Sequence, residues 1–214
     1  MNKVVLENVT KKINNENVLN NITIEFESGK IYGVFGRNGS GKTMLFRAIC
    51  GLLKPTTGTV YYNNLRLHRD ISFPPSVGVI IETPDFWNEF SGIENLRMLA
   101  SIQNKASAED IRDSLISVGL DPNDKRPVKK YSLGMRQRLA VAQGIMEKPE
   151  LIVFDEPTNA LDEEAVGLVR AILVREKERG AIVLIASHNK EDIRLLADVT
   201  YQMDSGKIKE AELI

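Results

Sequence analysis

Apolar residues recur at short spacing near both ends of the chain, and this pattern predicts strands. Near the amino terminus the β-rich runs are "VVLENV", "ITIEFE" and "KIYGVFG", and "TVYYNN" and "SVGVII" follow them. Farther along, "LIVFDE" and "AIVLIAS" are continuous apolar runs of the kind that forms strands buried on both faces. The segment "VTYQMDSGKIKEAEL" predicts a closing hairpin with its turn at Asp204–Gly206.

Helical periodicity replaces the strand pattern in the middle of the chain, from Ser91 to Met146. Twice in this region a serine is followed three residues later by an acidic residue, as Ser91 is by Glu94 and Ser107 is by Asp110. That spacing is the signature of a capping box, in which each side chain satisfies a backbone N–H of the other residue. The region therefore predicts successive capped helices.

Two further helices lie outside this region, one over residues 42–53 and one that ends at Gly180. Alternation of strands and helices around a helical insert predicts an α/β fold. We expect one domain, in which residues 1–82 and 147–214 form the core with a β subdomain and residues 83–146 form the insert.

The composition narrows the class of protein. With 214 residues, 43% hydrophobic and 27% charged, the chain is typical of a soluble globular protein. Its net charge of −1 predicts no general attraction to nucleic acid, so we expect no nucleic-acid partner. One cysteine, Cys50 in an apolar helical stretch, indicates a core position and a reducing cytoplasm. The longest apolar runs are far shorter than the ~20 residues that span a bilayer.

The segment "GRNGSGKT", Gly36–Thr43, fits the pattern G-x-x-x-x-G-K-[ST] between a predicted strand and a predicted helix. Its glycines let backbone N–H groups turn inward around phosphates, and the following helix points its positive end at them. Lys42 would reach the β- and γ-phosphates, and the Thr43 hydroxyl would ligate Mg²⁺. The predicted nucleotide-binding residues of this loop are Gly36, Asn38, Gly39, Ser40, Gly41, Lys42 and Thr43.

Acidic residues follow one apolar strand, and a histidine follows another. Asp155 and Glu156 end "LIVFDE", where the carboxyl edge of an α/β sheet binds ligands. Asp155 would hold Mg²⁺ through water, and Glu156 would polarise the attacking water as general base. His188 comes after "AIVLIAS"; such a histidine is either structural or a hydrogen-bond partner of the γ-phosphate. We expect Lys42, Glu156 and His188 to be the catalytic residues.

Taken together, these motifs resemble the nucleotide-binding domain of ATP-binding-cassette (ABC) transporters, over essentially the whole chain. "GRNGSGKT" looks like the Walker A motif, "LIVFDE" the Walker B, "NALD" the D-loop and "SH" the switch histidine. "YSLGM", residues 131–135, stands where the family signature belongs. The resemblance implies a P-loop NTPase (RecA-like) core with an antiparallel β subdomain and an inserted α-helical subdomain, and an ATP-hydrolysing activity.

It also implies partners. In the family, two such domains pack head to tail around two ATP molecules, and each ATP touches the phosphate loop of one subunit and the signature of the other. Ser132 and Gly134 would then contact a partner's γ-phosphate. We expect ATP and Mg²⁺ as cofactors, a second ABC ATPase subunit (the same chain or a close homologue) and an integral membrane permease. The chain would lie on the inner face of the cell membrane through that permease.

Departures from the family pattern point to one branch of the family. Ile13 stands where an aromatic residue usually stacks on adenine, which leaves the choice between ATP and GTP open. Glu82 replaces the Q-loop glutamine that senses Mg²⁺ and the attacking water. Its carboxylate can still accept from water or approach Mg²⁺, so we expect it among the metal-binding residues; the alternative is a tolerated substitution at a loop edge. Leu133 and Met135 replace the usual glycine and glutamine of the signature. Glu82 and the "SLGM" signature are similar to ABC ATPases that export bacitracin, lantibiotics and related peptides.

Alternatives remain at this level. A soluble ABC-type ATPase without a membrane partner is the second hypothesis, and a nucleotide-gated module that no longer hydrolyses ATP is the third. The third is opposed by the presence of four site residues, Lys42, Asp155, Glu156 and His188. Phe86 and Trp87 either line the groove that receives a permease helix or belong to the core of the insert.

Overall fold

The computed structural model describes residues 2–82, 85–188 and 190–211. These residues form two β-sheets and the helices that pack on them. The strands are β1 (Lys3–Ile13), β2 (Glu16–Glu27), β3 (Lys30–Phe35), β4 (Thr57–Tyr62), β5 (Leu65–Arg66), β6 (Val77–Ile80), β7 (Leu151–Asp155), β8 (Ile182–Ser187), β9 (Val199–Asp204) and β10 (Lys207–Glu210). The helices are α1 (Lys42–Ile49), α2 (Gly92–Gln103), α3 (Ala108–Ser117), α4 (Leu133–Ile145), α5 (Glu163–Glu178) and α6 (Lys190–Leu196), with a short 3-10 helix at Val128–Lys130.

The first sheet is antiparallel, with strand order β2-β1-β4-β5. Its long β1–β2 hairpin turns at Asn14 and Asn15, whose φ angles are 48° and 65°. Asparagine tolerates this left-handed conformation, which a two-residue hairpin turn requires. The predicted strands are therefore present but extend much closer to the turn than the apolar runs indicated.

The second sheet has the order β10-β9-β3-β8-β7-β6, and it is parallel except for β10, which pairs antiparallel with β9. Strand β8 is buried along its whole length, and β3 and β7 are buried at all but one position each. The apolar runs predicted this burial, and the closing β9–β10 hairpin is also confirmed. Because parallel strands share a direction, β3, β8 and β7 end at the same edge of the sheet.

Helices α2, α3 and α4 lie between β6 and β7 in the chain, and both predicted capping boxes are present. Helix α1 ends earlier than predicted because Gly51 and Leu52 donate to the carbonyls of Ala48 and Arg47, the hydrogen bonds of a Schellman motif. Helix α6 has no counterpart in the sequence-based prediction.

The insert and the sheet share one hydrophobic core. Leu96 of α2 and Leu115 of α3 belong to the same buried cluster as Phe154 of β7. The division at residues 83 and 146 therefore stays a prediction. Phe86 joins this core whereas Trp87 is half exposed, so the two aromatic residues have different environments. None of the helices in the described part of the chain has the length and apolarity to cross a bilayer.

Candidate functional site

The ends of β3, β8 and β7 bring the predicted motifs together. Phe35, the last residue of β3, pairs with Ser187 of β8, and Asp155 of β7 pairs with Ala186. The phosphate loop, His188 and Glu156 follow these strand ends directly, at the edge where α/β sheets bind ligands. The topology thus brings three segments that are far apart in sequence to one edge of the sheet.

The phosphate loop connects β3 to α1 and leaves backbone N–H groups available. Gly41 precedes α1 with a φ of 108°, and no side chain caps the helix there. A Cβ at Gly41 would lie 2.7 Å from the carbonyl oxygen of Val18, so this position accepts only glycine. The unbonded N–H groups of the first helical turn make this loop a site for an anion.

Lys42 is hydrogen-bonded to the phosphate loop itself, and Thr43 is hydrogen-bonded to the end of β7. Lys42 is buried, and its Nζ donates to the carbonyl oxygens of Gly36 at 2.9 Å and Arg37 at 3.3 Å. The Thr43 hydroxyl donates to Oδ2 of Asp155 at 2.6 Å. Hydrogen bonds to these neutral carbonyls place the ammonium group at the loop, where a phosphate would bind.

A cavity of about 550 Å³ runs along the loop and contains most of the predicted nucleotide-binding residues. Of the predicted residues, those lining it are Ile13, Asn38, Gly39, Gly41, Lys42, Thr43, Glu82, Asp155 and Glu156. Gly36 and Ser40 instead support the loop from within, since the Gly36 carbonyl bonds Lys42 and the Ser40 carbonyl accepts from Gly206. Val18 and Met44 join Ile13 as apolar lining, which the sequence analysis did not foresee.

Burial raises the pKa of the Asp155 carboxyl above its ordinary value, and the charges of Glu156 and Glu82 act in the same direction. The hydrogen bond from Thr43 and the charge of Lys42 oppose this shift. A carboxylate whose charge is disfavoured in the empty site gains more when a cation binds beside it.

The donor set fits Mg²⁺. A hydroxyl and a carboxylate 2.6 Å apart supply hard oxygen ligands, which Mg²⁺ prefers. Within the described residues, no three His, Cys, Asp or Glu side chains are placed to hold a metal by themselves. An ion at Thr43 and Asp155 would therefore complete its shell with water and phosphate oxygens, as Mg²⁺ commonly does.

Glu156 and His188 form a tight pair. Oε1 of Glu156 accepts from the backbone N–H of His188 at 2.9 Å, and Oε2 lies 2.8 Å from the ring Nδ1. Both carboxylate oxygens are thereby oriented, while the His188 side chain stays largely exposed. His188 was expected to be either structural or a partner of the γ-phosphate. The structure shows a third role, because His188 directly orients the predicted general base.

Glu82 pairs with a residue that the sequence analysis missed. Its Oε1 lies 2.5 Å from Nη2 of Arg47, on the helix that starts with Lys42. Arg47 is four residues after Thr43 and so lies on the same face of α1, which is the one signal that could have identified it. The extra negative charge at the Q-loop position is thus partly balanced within the chain.

Ser132 and Gly134 of the signature do not line the loop cavity, whereas Leu133 borders an adjoining one. Ser132 caps α4 by accepting from the backbone N–H of Met135 at 3.1 Å, and Leu133 is 61% exposed. Neither Ser132 nor Gly134 is among the described residues that line the loop cavity. Leu133 instead borders a smaller cavity of about 350 Å³ together with Thr43 and Glu156.

Gln137, one turn beyond Gly134, is a second residue that the sequence analysis missed. It is buried, as are Ala140 and Val141 on the same side of α4 three and four residues later, and its side chain donates to the backbone carbonyl of Glu156. A polar residue within a buried helical face needs a hydrogen-bond partner, and this pattern was the available signal.

Comparison with known proteins agrees with this geometry. The sequence profile described as "ABC transporter" matches residues 19–159. A Bacillus subtilis relative, "Uncharacterized ABC transporter ATP-binding protein YybJ", is 49% identical over 207 residues, covering 97% of this chain and 95% of the relative. The "Bacitracin transport ATP-binding protein BcrA" of Enterococcus faecalis is 38% identical, over 95% of this chain and 67% of the relative. The "Lantibiotic transport ATP-binding protein SrtF" of Streptococcus pyogenes is 33% identical, over 95% of this chain and 87% of the relative.

A solved structure shares the fold. It is the dimeric structure of a post-hydrolysis state of the ATP-binding cassette MJ0796 bound to ADP and Pi. The TM-score is 0.85 with 21% sequence identity, and the match covers 99% of this chain and all of the other. The chain therefore belongs to the ABC transporter family, as an ATP-binding subunit with an ABC ATPase domain.

Proposed function

We propose that the chain works as half of an ATP-dependent dimer that drives a membrane permease, and that the permease exports a peptide antibiotic or a related peptide. The observation that carries this proposal is that Ser132 and Gly134 of the signature do not line the loop cavity. Ser132 and Gly134 lie at a helix start that does not line the cavity holding Lys42, so they suit a phosphate held by another subunit.

The chemistry assigned to this chain begins at the phosphate loop. Backbone N–H groups around Gly41 and the Nζ of Lys42 would bind the phosphates, and Thr43 with Asp155 would hold Mg²⁺. The ion supplies neutralisation of the negative charge on the phosphate oxygens. Glu156 would accept a proton from the attacking water, because its carboxylate is already oriented by two contacts with His188.

The assignment to peptide export rests on the relatives. Bacitracin and lantibiotic transport are named for proteins that align over 95% of this chain. The alternative, an ABC-type ATPase that works without a membrane partner, has no such relative among these. The second ATPase subunit, either the same chain or a close homologue, and the permease would place the chain at the inner face of the cell membrane.

Replacing Glu156 with glutamine tests the mechanism and the partner together. Glu156→Gln keeps the size of the side chain but cannot accept the proton, so we expect ATP turnover to fall by about a hundredfold or more while ATP still binds. With ATP and Mg²⁺ the variant should elute as a dimer in size-exclusion chromatography. A tagged variant purified from detergent-treated membranes with ATP should retain a membrane protein with several apolar segments of ~20 residues.

Glu164→Gln, an identical change at an exposed position in the first turn of α5, is the matched control and should behave like the unaltered chain. Lys42→Ala should lose ATP binding itself. Unchanged turnover in Glu156→Gln would overturn the assignment of the general base. Recovery of the tagged dimer without any membrane protein would favour the ATPase that works alone.

A further inference from the structure

The amino-terminal half of α4 lies against the turn that follows β7. A Cβ at Gly134 would lie 3.0 Å from the carbonyl oxygen of Ala160 in that turn. One helical turn later, Gln137 is only 8% exposed, and its Nε2 donates to the carbonyl oxygens of Glu156 at 3.1 Å and Pro157 at 3.2 Å. The helix that carries the signature therefore contacts the turn that carries the predicted general base.

This turn has an unfavourable backbone at both ends. Glu156 has a φ of 53° and Ala160 a φ of 62°, in the left-handed region that residues other than glycine rarely occupy. Such conformations persist only where surrounding contacts hold them. The Glu156 N–H donates to the Ala186 carbonyl at 2.9 Å, which fixes one side of this residue.

The Gln137 side chain fixes the other side. A carboxamide nitrogen carries two hydrogens, so one Nε2 can serve both the Glu156 and the Pro157 carbonyl. Holding these two carbonyls sets the orientation of the two successive peptide planes that follow the Glu156 Cα atom. The direction in which the Glu156 side chain leaves the backbone follows from that orientation.

We propose that Gln137 is a positioning residue for the Glu156 carboxylate and links it to the signature end of α4. This inference rests on the proposed role of Glu156 as general base. A displacement of the start of α4, which carries Ser132 and Gly134, would move the two carbonyls that Gln137 holds. Contact of the signature with a phosphate in one site would in this way adjust the general base that serves the other site.

The first test replaces Gln137 with methionine, which has a similar volume but no donor. We expect kcat for ATP to fall about tenfold to a hundredfold, because small displacements of a catalytic group reduce the rate to this extent. KM and the dissociation constant for ATP should stay within about threefold, since the phosphate loop is unchanged. Gln143→Met, at the other glutamine of α4, is the matched control and should retain kcat.

A double-mutant cycle separates positioning from a general structural role. If Gln137 acts through Glu156, then Gln137→Met should lower kcat in the unaltered chain but should have little effect when Glu156 is already glutamine. The residual turnover of the two Glu156→Gln chains can be compared by following phosphate release over hours. Gln137→Asn, which keeps the amide but withdraws it by one methylene, should also lower kcat and provides the test if the methionine variant does not fold.

Three outcomes would overturn the inference. They are an unchanged kcat in both Gln137 variants, an equal fold-loss with and without the Glu156 carboxylate, and a loss of ATP affinity that matches the loss of kcat. Failure of the underlying function is recognised separately, because the single variant Glu156→Gln would then keep its turnover with Gln137 intact.

Discussion

At the scale of single residues, the site combines a carboxylate that is costly to bury with a partner that orients it. Asp155 accepts the Thr43 hydroxyl at 2.6 Å, yet burial raises the pKa of its carboxyl. The folded chain therefore holds this group in an environment that favours the neutral form. Such a residue lowers the stability of the empty protein and is retained because it binds a cation.

Replacing Asp155 with asparagine should reveal this cost. At pH 7 the free energy of unfolding of Asp155→Asn should equal that of the unaltered chain or exceed it by up to about 1 kcal/mol. The reason is that a neutral amide can be buried without the cost of burying a charge. In the presence of ATP, Mg²⁺ should raise the thermal midpoint of the unaltered chain but not of the variant. Denaturant and thermal unfolding, with and without a chelator, measure both effects.

The pH dependence of this difference has a definite sign. The pKa of Asp155 in the folded chain is higher than its ordinary value of 3.8, so between the two values the folded chain binds more protons than the unfolded chain. Its penalty is complete above the folded pKa and is relieved as the pH falls through that pKa. The advantage of Asp155→Asn should shrink in that window; a variant less stable than the unaltered chain at every pH would contradict this account.

Glu82 shows how a substitution within a family motif is accommodated. Its carboxylate lies 2.5 Å from Arg47, but the two side chains are 60% and 34% exposed. An ion pair this accessible to water stabilises a fold by about 1 kcal/mol or less. The pair therefore sets where the Glu82 side chain rests more than it strengthens the domain.

At the scale of elements, the contact between α4 and the turn after β7 explains the glycine of the signature in a new way. From its place in the signature, Gly134 is expected to contact a partner's phosphate. The structure adds a constraint within the chain, since a Cβ there would lie 3.0 Å from the Ala160 carbonyl oxygen. Gly167 in α5 has no such neighbour, because an added Cβ would meet nothing within 4 Å.

These two helical glycines make a matched pair for alanine substitution. Gly167→Ala should raise the free energy of unfolding by about 0.5–1 kcal/mol, since alanine restricts the unfolded chain and suits a helix. Gly134→Ala should lose that gain and lower ATP turnover about tenfold, as the turn with Glu156 is displaced. Urea unfolding and basal ATPase rates test both; equal stabilisation with full turnover in Gly134→Ala would show that the contact exerts no constraint.

At the scale of the whole molecule, the chain carries parts of two different sites. The phosphate loop, Glu156 and His188 meet at one sheet edge, whereas Ser132 lies at the start of α4, outside the loop cavity. If each complete site takes its signature from another subunit, a chain with a defective phosphate loop can still provide an intact signature to its partner, and the reverse also holds.

Mixing two defective chains tests this arrangement. Lys42→Ala disables the phosphate loop, and Ser132→Asp keeps a helix-capping residue while placing a negative charge toward the phosphate. Each variant alone should be inactive, whereas an equal mixture should recover about a quarter of the unaltered turnover, because half of randomly formed dimers contain one intact site. Mixed dimers that form in size-exclusion chromatography but stay inactive would contradict sites shared in this way.

Local patterns in the sequence determined the local structure. Strand periodicity, the two capping boxes and the glycine spacing of the phosphate loop act over a few residues, so β3, α1, α2 and α3 could be predicted from the chain itself. Asp155, Glu156 and His188 were found because apolar runs place their ends at one sheet edge. The family resemblance rested on the same short motifs.

Tertiary structure decided the contacts that no local rule contains. Arg47 meets Glu82 across 35 residues of sequence, and Gln137 meets Glu156 across 19. The left-handed backbone at Glu156 likewise depends on what surrounds it, because intrinsic preference opposes it. Residue type and spacing established which groups could perform the chemistry. Which side chains hold those groups in place was determined by the packing of α1 and α4 against the sheet. That packing depends on the register of elements distant in sequence, which no local pattern contains.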